Sequence, residues 1–136
     1  MSQDFYRRRL DETLGFPALA EFLKTNWQQP FLGRDANNLC ALIATWQNAD
    51  ISDNPLYRGD LDRALAAIEA DGLIMPSETD LYFPAEDNRL EVERLRRGRL
   101  LPIPSVWGHR AGNNPANPAD ADFVHRTVAE FLLKKP

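Results

Sequence analysis

The sequence is poor in cysteine and histidine. Of its 136 residues one is a cysteine, Cys40, and two are histidines, His109 and His125. A single thiol cannot close a disulfide within the chain, which favours a reducing, cytoplasmic setting over a disulfide-stabilised secreted domain. Without a second cysteine or further histidines, the ligand spacing of a zinc site is absent. The composition therefore predicts no metal.

Long apolar runs and excess positive charge are also missing. No stretch approaches the roughly 20 apolar residues of a membrane helix, and the N-terminal MSQDFYRRRLDE lacks the apolar segment of a signal peptide. The formal net charge is -4, whereas nucleic-acid binding requires a basic surface. The arginine clusters at 7–9 and 94–99 are typical of solvated helix faces. We expect a cytoplasmic chain that binds neither nucleic acid nor membrane.

The first part of the chain, residues 1–48, has the apolar spacing of helices throughout. Phe16-Pro17 predicts a helix start with proline at an early helical position. Asp35 is a predicted N-cap, because its carboxylate can accept from free backbone N–H groups, and an apolar helical stripe follows from Leu39 to Trp46. We therefore divide the chain into a helical segment, 1–48, and a second part, 49–136.

The second part alternates between predicted helices and strands, in the order α-β-α-β-α. The helices begin at Asp60, at Pro84 and at Asp120 or Asp122, the second of them running to Arg97, and the strands are Leu73–Met75 and Leu100–Val106. Both strands are continuously apolar, which favours a parallel sheet covered on both faces. Two strands alone do not make a stable covered sheet. The second part therefore indicates the end of a larger α/β domain whose earlier strands are absent.

One carboxylate and one imidazole follow the two predicted strands. Asp80 comes soon after the first strand, and His109 comes soon after the second. The carboxyl ends of neighbouring parallel strands meet at one edge of a sheet, about 4.8 Å apart, so these two side chains can form a hydrogen bond. Such a bond would orient the imidazole for acyl transfer. A turn or cap role for Asp80 and a structural role for His109 are the alternatives.

No serine has the surroundings of a triad nucleophile. On an α/β sheet that residue lies on a G-x-S-x-G turn, and the serines at 2, 52, 77 and 105 all lack the flanking glycines. Cys40 has a permitted place in the chain order, before Asp80 and His109. It lies within a predicted apolar helix stripe, however, and we expect it to be packed rather than reactive. The chain therefore holds two members of a three-member catalytic group.

Three separated motifs carry a family resemblance. The segments RDANNL (Arg34 to Leu39), TDLYFP (Thr79 to Pro84) and PIPSVWGHRAGNNP (Pro102 to Pro115) occur in this order. Together they resemble the C-terminal part of α/β-hydrolase-fold proteins similar to homoserine O-acetyltransferase. The resemblance implies that Asp80 and His109 complete a triad whose serine lies in an N-terminal half. It also implies that residues 1–48 belong to a helical cap over the active site.

The chain departs from this family at Arg110, directly after His109. Homoserine acetyltransferases typically carry an aspartate there, suited to the ammonium group of the substrate. A guanidinium repels that cation, so a hydrolase or a transferase for another acceptor becomes an equal alternative. Binding of an anionic substrate group by Arg110 is the weaker hypothesis, and a solvent-facing or structural Arg110 is its alternative.

The resemblance implies a serine-type acyltransferase or hydrolase that acts on a small acyl donor or ester. It requires no cofactor beyond an acyl donor such as acyl-CoA. Two interpretations of the isolated chain stay open. In the first, the chain is a fragment or one piece of a split enzyme and pairs with a separate N-terminal half. In the second, it is a non-catalytic interaction protein, whose exposed apolar faces bind a partner or a second copy through the helical segment.

Overall fold

The structure, a computed structural model, describes residues 1–113 and 115–133. Contacts divide the chain into two compact units. One unit consists of Met1–Leu10 together with Leu65–Pro136, and the other is Asp11–Ala64. The division at residue 48, between a cap segment and a core, is a division by function and stays a prediction. Within the described ranges, no helix combines the length and apolar character needed to cross a bilayer.

The helical spacing of the first 48 residues corresponds to several short helices, because Gly15, Pro17 and Gly33 interrupt the helical conformation. These are α1 (Gln3–Arg7), α2 (Leu10–Thr13), α3 (Leu19–Leu23), a π-helical turn (Lys24–Gln28), α4 (Gln29–Leu32) and α5 (Ala36–Gln47). The predicted start at Phe16-Pro17 is wrong by two residues. Ala18 is the N-cap of α3, so Pro17 precedes the helix.

Helix α5 confirms the predicted cap and shows where its apolar stripe lies. The carboxylate of Asp35 accepts hydrogen bonds from the backbone N–H groups of Asn37 and Asn38, at 2.8 Å and 3.1 Å. None of the residues of α5 is buried. Leu42 and Trp46 are 66% and 58% exposed. The expectation that Cys40 is packed is therefore wrong, because nothing in the described part of this chain covers the stripe and the thiol is exposed.

The larger unit contains the predicted pair of parallel strands. Within the described residues the sheet has two strands, β1 (Gly72–Ile74) and β2 (Gly98–Leu100), paired in parallel with Gly72 opposite Gly98. The prediction of a strand over Leu100–Val106 is wrong in extent. Hydrogen bonds continue past β2, from the N–H of Leu101 to Ile74 O and from the N–H of Ile103 to Pro76 O, and the pairing there is an isolated bridge between Ser77 and Ile103.

The remaining helices are α6 (Leu61–Ala66), whose residues are divided between the two units, and α7 (Ala85–Val92) and α8 (Pro118–Leu133), which belong to the larger unit. Asp60 caps α6 as predicted, since its carboxylate accepts from the N–H of Arg63 at 2.9 Å. Helix α7 is shorter than predicted and ends before the arginines at 94–97. Helix α8 begins two residues before Asp120, because the side chain of Asn117 accepts from the Asp120 N–H.

The N-terminal helix contributes to the core of the larger unit. Phe5, Ile103 and Trp107 are buried, and the rings of Phe5 and Trp107 meet edge to face with centroids 5.1 Å apart. The Ser2 hydroxyl donates to the carbonyl of Val106. In the smaller unit, Asp11–Ala64, Phe22 is fully buried, and its ring meets that of Phe16 edge to face with centroids 5.3 Å apart. Helix α1 and its cap residue therefore contact the segment that leads to His109.

Candidate catalytic site

The loop after β1 fixes the carboxylate of Asp80. Its Oδ1 accepts from the backbone N–H of Tyr82 at 2.8 Å and from that of Phe83 at 3.4 Å. This is a local turn of the kind that aspartate side chains stabilise. The Asp80 side chain is 7% exposed. One carboxylate oxygen therefore holds the loop, and the second stays available for another partner.

That partner is the imidazole of His109. Gly108–Arg110 form one turn of 3-10 helix after the bridge at Ile103, and the Nδ1 of His109 lies 2.9 Å from Oδ2 of Asp80. The rings of Tyr82 and Phe83 flank the imidazole, with centroids at 5.2 Å and 5.5 Å. Half of the histidine side chain, 49%, is exposed. The predicted contact between the two residues is therefore present.

The environment of Asp80 favours its charged form. Burial raises the pKa of the Asp80 carboxyl, but the hydrogen bonds from His109, Tyr82 and Phe83 together outweigh burial and hold the pKa below its ordinary value. Asp80 is therefore a carboxylate at neutral pH. A carboxylate next to Nδ1 accepts the Nδ1–H, which directs Nε2 and its lone pair to the open side. Within the described ranges, Nε2 has no hydrogen-bond partner.

A threonine links the loop of Asp80 to the loop of His109. The hydroxyl of Thr79 donates to the carbonyl of Ser105 at 2.8 Å and accepts from the N–H of Gly108 at 3.2 Å. In the sequence, Thr79 stood out only as part of TDLYFP. Its position directly before Asp80 is the signal that would have drawn attention to it. Thr79 therefore contacts the residue directly before His109 as well.

The same segment is anchored to α8. The hydroxyl of Ser105 is hydrogen-bonded to Oδ2 of Asp120 and accepts from the N–H of Trp107 at 3.1 Å. Ser105 and Asp120 are both buried, at 6% and 8% exposure. The sequence predicted Asp120 as a helix start. Its carboxylate instead supports the chain four residues before His109.

The backbone of Met1 and Ser2 lies close to Gly108. Gly108 has φ +58°, and a Cβ there would lie 2.9 Å from Ser2 N and 3.0 Å from Met1 C. Burial lowers the pKa of the Met1 amino group, the Arg110 charge lowers it further, and the Asp80 charge opposes both. The close approach explains why glycine precedes His109, since any side chain would displace either the N-terminal segment or the histidine turn.

A cavity of about 310 Å³ opens beside the pair. Asp80 and His109 line it together with Phe83, Asn88 and Ala111, and its apolar wall comes from the strand segments: Ile74, Met75, Pro76 and Ile103. Polar and apolar groups both line the cavity, and such a mixture can bind the carbonyl and the alkyl parts of a small molecule. The space next to the imidazole is therefore large enough for a small ester.

The remaining predicted residues lie elsewhere. Arg110 is half-buried in the turn of His109 but is not among the residues that line this cavity. The hydroxyls of Ser2, Ser77 and Ser105 are bonded to other groups, and that of Ser52 is bonded to Asp50. Within residues 1–113 and 115–133, no serine hydroxyl is hydrogen-bonded to His109, and no three His, Cys, Asp or Glu side chains are grouped to hold a metal ion.

Comparison with known proteins gives relatives of one kind. No family model matches the sequence. Over 108 residues, 79% of this chain, it is 31% identical to the ethyl acetate hydrolase of Pseudomonas veronii, of which the match covers 30%. The structure resembles that of the acetyl esterase MekB with a TM-score of 0.85 and 28% identity, covering 98% of this chain and 38% of that one.

A second structure agrees. An acetylester hydrolase from Corynebacterium glutamicum matches with a TM-score of 0.73 and 26% identity, over 91% of this chain and 36% of that one. The chain thus spans about a third of the length of these relatives. All three are ester hydrolases, and none is a homoserine O-acetyltransferase. In sequence and in structure, the chain therefore resembles part of an acetyl ester hydrolase.

Proposed function

We propose that this chain supplies the acid and the histidine of a carboxylic ester hydrolase that acts on small acetyl esters. The observation that carries the proposal is the 2.9 Å contact between His109 Nδ1 and Asp80 Oδ2, beside a cavity of about 310 Å³. The nucleophile comes from residues outside this sequence. The hydrolytic activity of all three relatives favours hydrolysis over acyl transfer to a second acceptor.

The roles of the two residues follow from their geometry. As the nucleophile attacks the ester carbonyl, Nε2 of His109 takes its proton, and Asp80 stabilises the imidazolium through Nδ1–H. The imidazolium then gives that proton to the departing alkoxide, which leaves as the alcohol. In the second half, Nε2 takes a proton from water as the water attacks the acyl-enzyme, and it returns this proton to the nucleophile as acetate leaves.

A chimera tests the proposal directly. The part of the Pseudomonas veronii ethyl acetate hydrolase that matches this chain is replaced by this chain, and hydrolysis of p-nitrophenyl acetate is measured. We expect turnover in the chimera, and none from the isolated chain, because loss of a nucleophile leaves little of the catalysis. His109→Ala should lower kcat by on the order of 10⁶-fold, and Asp80→Asn by on the order of 10⁴-fold.

The matched control is His125→Ala, because His125 lies in α8 and does not line the cavity. Its chimera should retain full activity. An active chimera that keeps its turnover after His109→Ala would disprove the assignment. Robust hydrolysis by the isolated chain, abolished by His109→Ala, would show that a nucleophile is present in this sequence after all.

A second candidate function is supported by exposed apolar side chains. On α5, Leu42, Ile43 and Trp46 are between 49% and 66% exposed. A contiguous apolar surface of this kind is typical of an interface. Under this alternative the chain is a binding protein that pairs with a second copy or a separate subunit, and Asp80 and His109 have no catalytic task. Full activity of the chimera with intact His109 dependence would argue against it.

A further inference from the structure

We infer that Thr79 is a positioning residue that sets the distance between Asp80 and His109. The inference deepens the proposed function, since it concerns the same pair. Thr79 precedes Asp80 in the chain, and its hydroxyl bonds to two groups of the segment that carries His109. The Thr79 side chain therefore links the loop of Asp80 directly to the segment that carries His109.

The two bonds of the hydroxyl have complementary directions. Its proton goes to the Ser105 carbonyl at 2.8 Å, and its lone pair accepts the Gly108 N–H at 3.2 Å. One hydroxyl can do both, because it combines one donor with two acceptor sites. Ser105 and Gly108 lie on the two sides of Trp107, so the bonds hold both ends of this short stretch. The turn Gly108–Arg110 then starts from a fixed point.

Other links between the two loops lie further from the pair. The Glu78 N–H donates to Ile103 O at 3.1 Å, and the Ser77 hydroxyl reaches Ser105 O at 3.5 Å. Both bonds attach the strand ends, whereas the Thr79 bond to Gly108 reaches the residue next to His109. Thr79 is half-buried, so its hydroxyl is partly shielded from water. Loss of the hydroxyl should therefore release the histidine turn rather than the sheet.

The test compares Thr79→Val with Thr79→Ser. Valine keeps the volume and removes both bonds, whereas serine keeps the hydroxyl. The readout is the tautomer of the neutral His109 ring, measured from its ¹⁵N chemical shifts at a pH of about 9 in the isolated chain, well above the ordinary histidine pKa. The wild type and Thr79→Ser should show the Nδ1–H form, because Asp80 accepts that proton. Thr79→Val should shift the mixture toward Nε2–H, and the pKa of Asp80 should rise as its bond from His109 is lost.

The matched control is Thr45→Val in α5. The Thr45 hydroxyl also donates to a carbonyl, that of Ala41 at 2.9 Å, but it belongs to the other unit. This variant should leave the His109 tautomer unchanged. A folded Thr79→Val protein that keeps the wild-type tautomer and the wild-type pKa of Asp80 would overturn the inference. A shift of equal size in Thr45→Val would overturn it too, by showing that the readout follows general loosening.

A measurement on the wild-type chain keeps the test decisive if Thr79→Val does not fold. The Gly108 amide should be protected from hydrogen exchange, because its N–H is bonded to Thr79. Exchange at the rate of an unstructured amide would contradict the inference.

In the active chimera, Thr79→Val should lower kcat by on the order of 10-fold to 100-fold with little change in KM, and Thr79→Ser should restore it. The ring and amide measurements need no activity. If the chimera proves inactive, they still decide whether Thr79 positions the pair.

Discussion

Ser105 and Asp120 share a hydrogen bond between two buried side chains. The bond joins the first turn of α8 to the segment that ends at His109. Ser105 also accepts from Trp107 N–H, and its own carbonyl accepts from Thr79. A single residue therefore connects a helix, the loop of the acid and the loop of the histidine. The hydroxyl of Ser105 therefore supports the segment that leads to His109 through Asp120 and Trp107.

Ser105→Ala should destabilise the chain by about 2–3 kcal/mol, because it leaves the buried Asp120 carboxylate without its hydroxyl partner. The free energy of unfolding, measured with urea, tests this. Ser77→Ala is the matched control. Ser77 is equally buried, but its hydroxyl makes two long bonds to neutral groups, donating to the Ser105 carbonyl at 3.5 Å and accepting from the Thr79 N–H at 3.4 Å. We expect it to cost less than about 1 kcal/mol. Equal costs for the two variants would contradict the importance of the Ser105–Asp120 bond.

Gly108→Ala should lower stability and disturb the histidine turn together. The added Cβ would lie 2.9 Å from Ser2 N, and the residue would keep a left-handed φ of +58°. The left-handed backbone costs a residue with a side chain about 1 kcal/mol, and the steric overlap adds to it. Thermal unfolding measures the loss. Gly33→Ala should be neutral or stabilising, since Gly33 has φ -95° and open space around its Cα. Similar losses in the two variants would refute this account.

The Asp80–His109 contact should make stability depend on acid pH. The pKa of Asp80 in the folded chain is held below its ordinary value, because hydrogen bonds from His109 and from the Tyr82 and Phe83 backbone outweigh burial. A carboxyl with a lowered folded pKa stabilises the fold fully above its unfolded pKa of about 3.9, and the contribution is lost as pH falls through the folded pKa. Asp80→Asn should therefore flatten the dependence of unfolding free energy on pH below about 5.

His109→Ala should flatten the same profile in part, because it removes one of the donors to Asp80. Adding it to Asp80→Asn should change the slope no further. If Asp80→Asn has the wild-type slope, the carboxylate is not stabilised in the way described. The measurement needs only the isolated chain, so it is independent of any catalytic activity.

The sequence could predict the features that depend on neighbouring residues or on a general rule of sheet geometry. Asp35 and Asp60 were predictable as caps, because a cap depends on neighbouring residues alone. Asp80 and His109 could be paired, because neighbouring parallel strands end at one edge. The second strand was predicted over Leu100–Val106 and is observed over Gly98–Leu100, since the apolar run begins at Leu100 whereas Gly98 and Arg99 carry no apolar side chain.

The other contacts between distant residues of the site could not be derived in this way. Thr79 and Gly108 are 29 residues apart, and Ser105 and Asp120 are 15 apart. No periodicity links such pairs, and serine or threonine near a strand end is equally typical of a turn. The burial of Cys40 was also mispredicted, since an apolar helix face shows that a cover is favourable but not that this chain contains one. These features depend on tertiary packing rather than on local pattern.

The exposed apolar faces should make the isolated chain bind hydrophobic dyes and associate with itself. Leu42 and Trp46 on α5 are 66% and 58% exposed, and Leu132 near the end of α8 is 73% exposed. Leu42→Glu should reduce both anilinonaphthalene sulfonate fluorescence and the sedimentation coefficient. It should change stability by less than about 0.5 kcal/mol, because the side chain makes few contacts in the monomer. Thr45→Glu, which adds the same charge to α5, is the control for electrostatic repulsion. A sharply melting monomer that binds no dye would contradict the prediction, and an equal effect of the two substitutions would attribute the association to charge rather than to the apolar stripe.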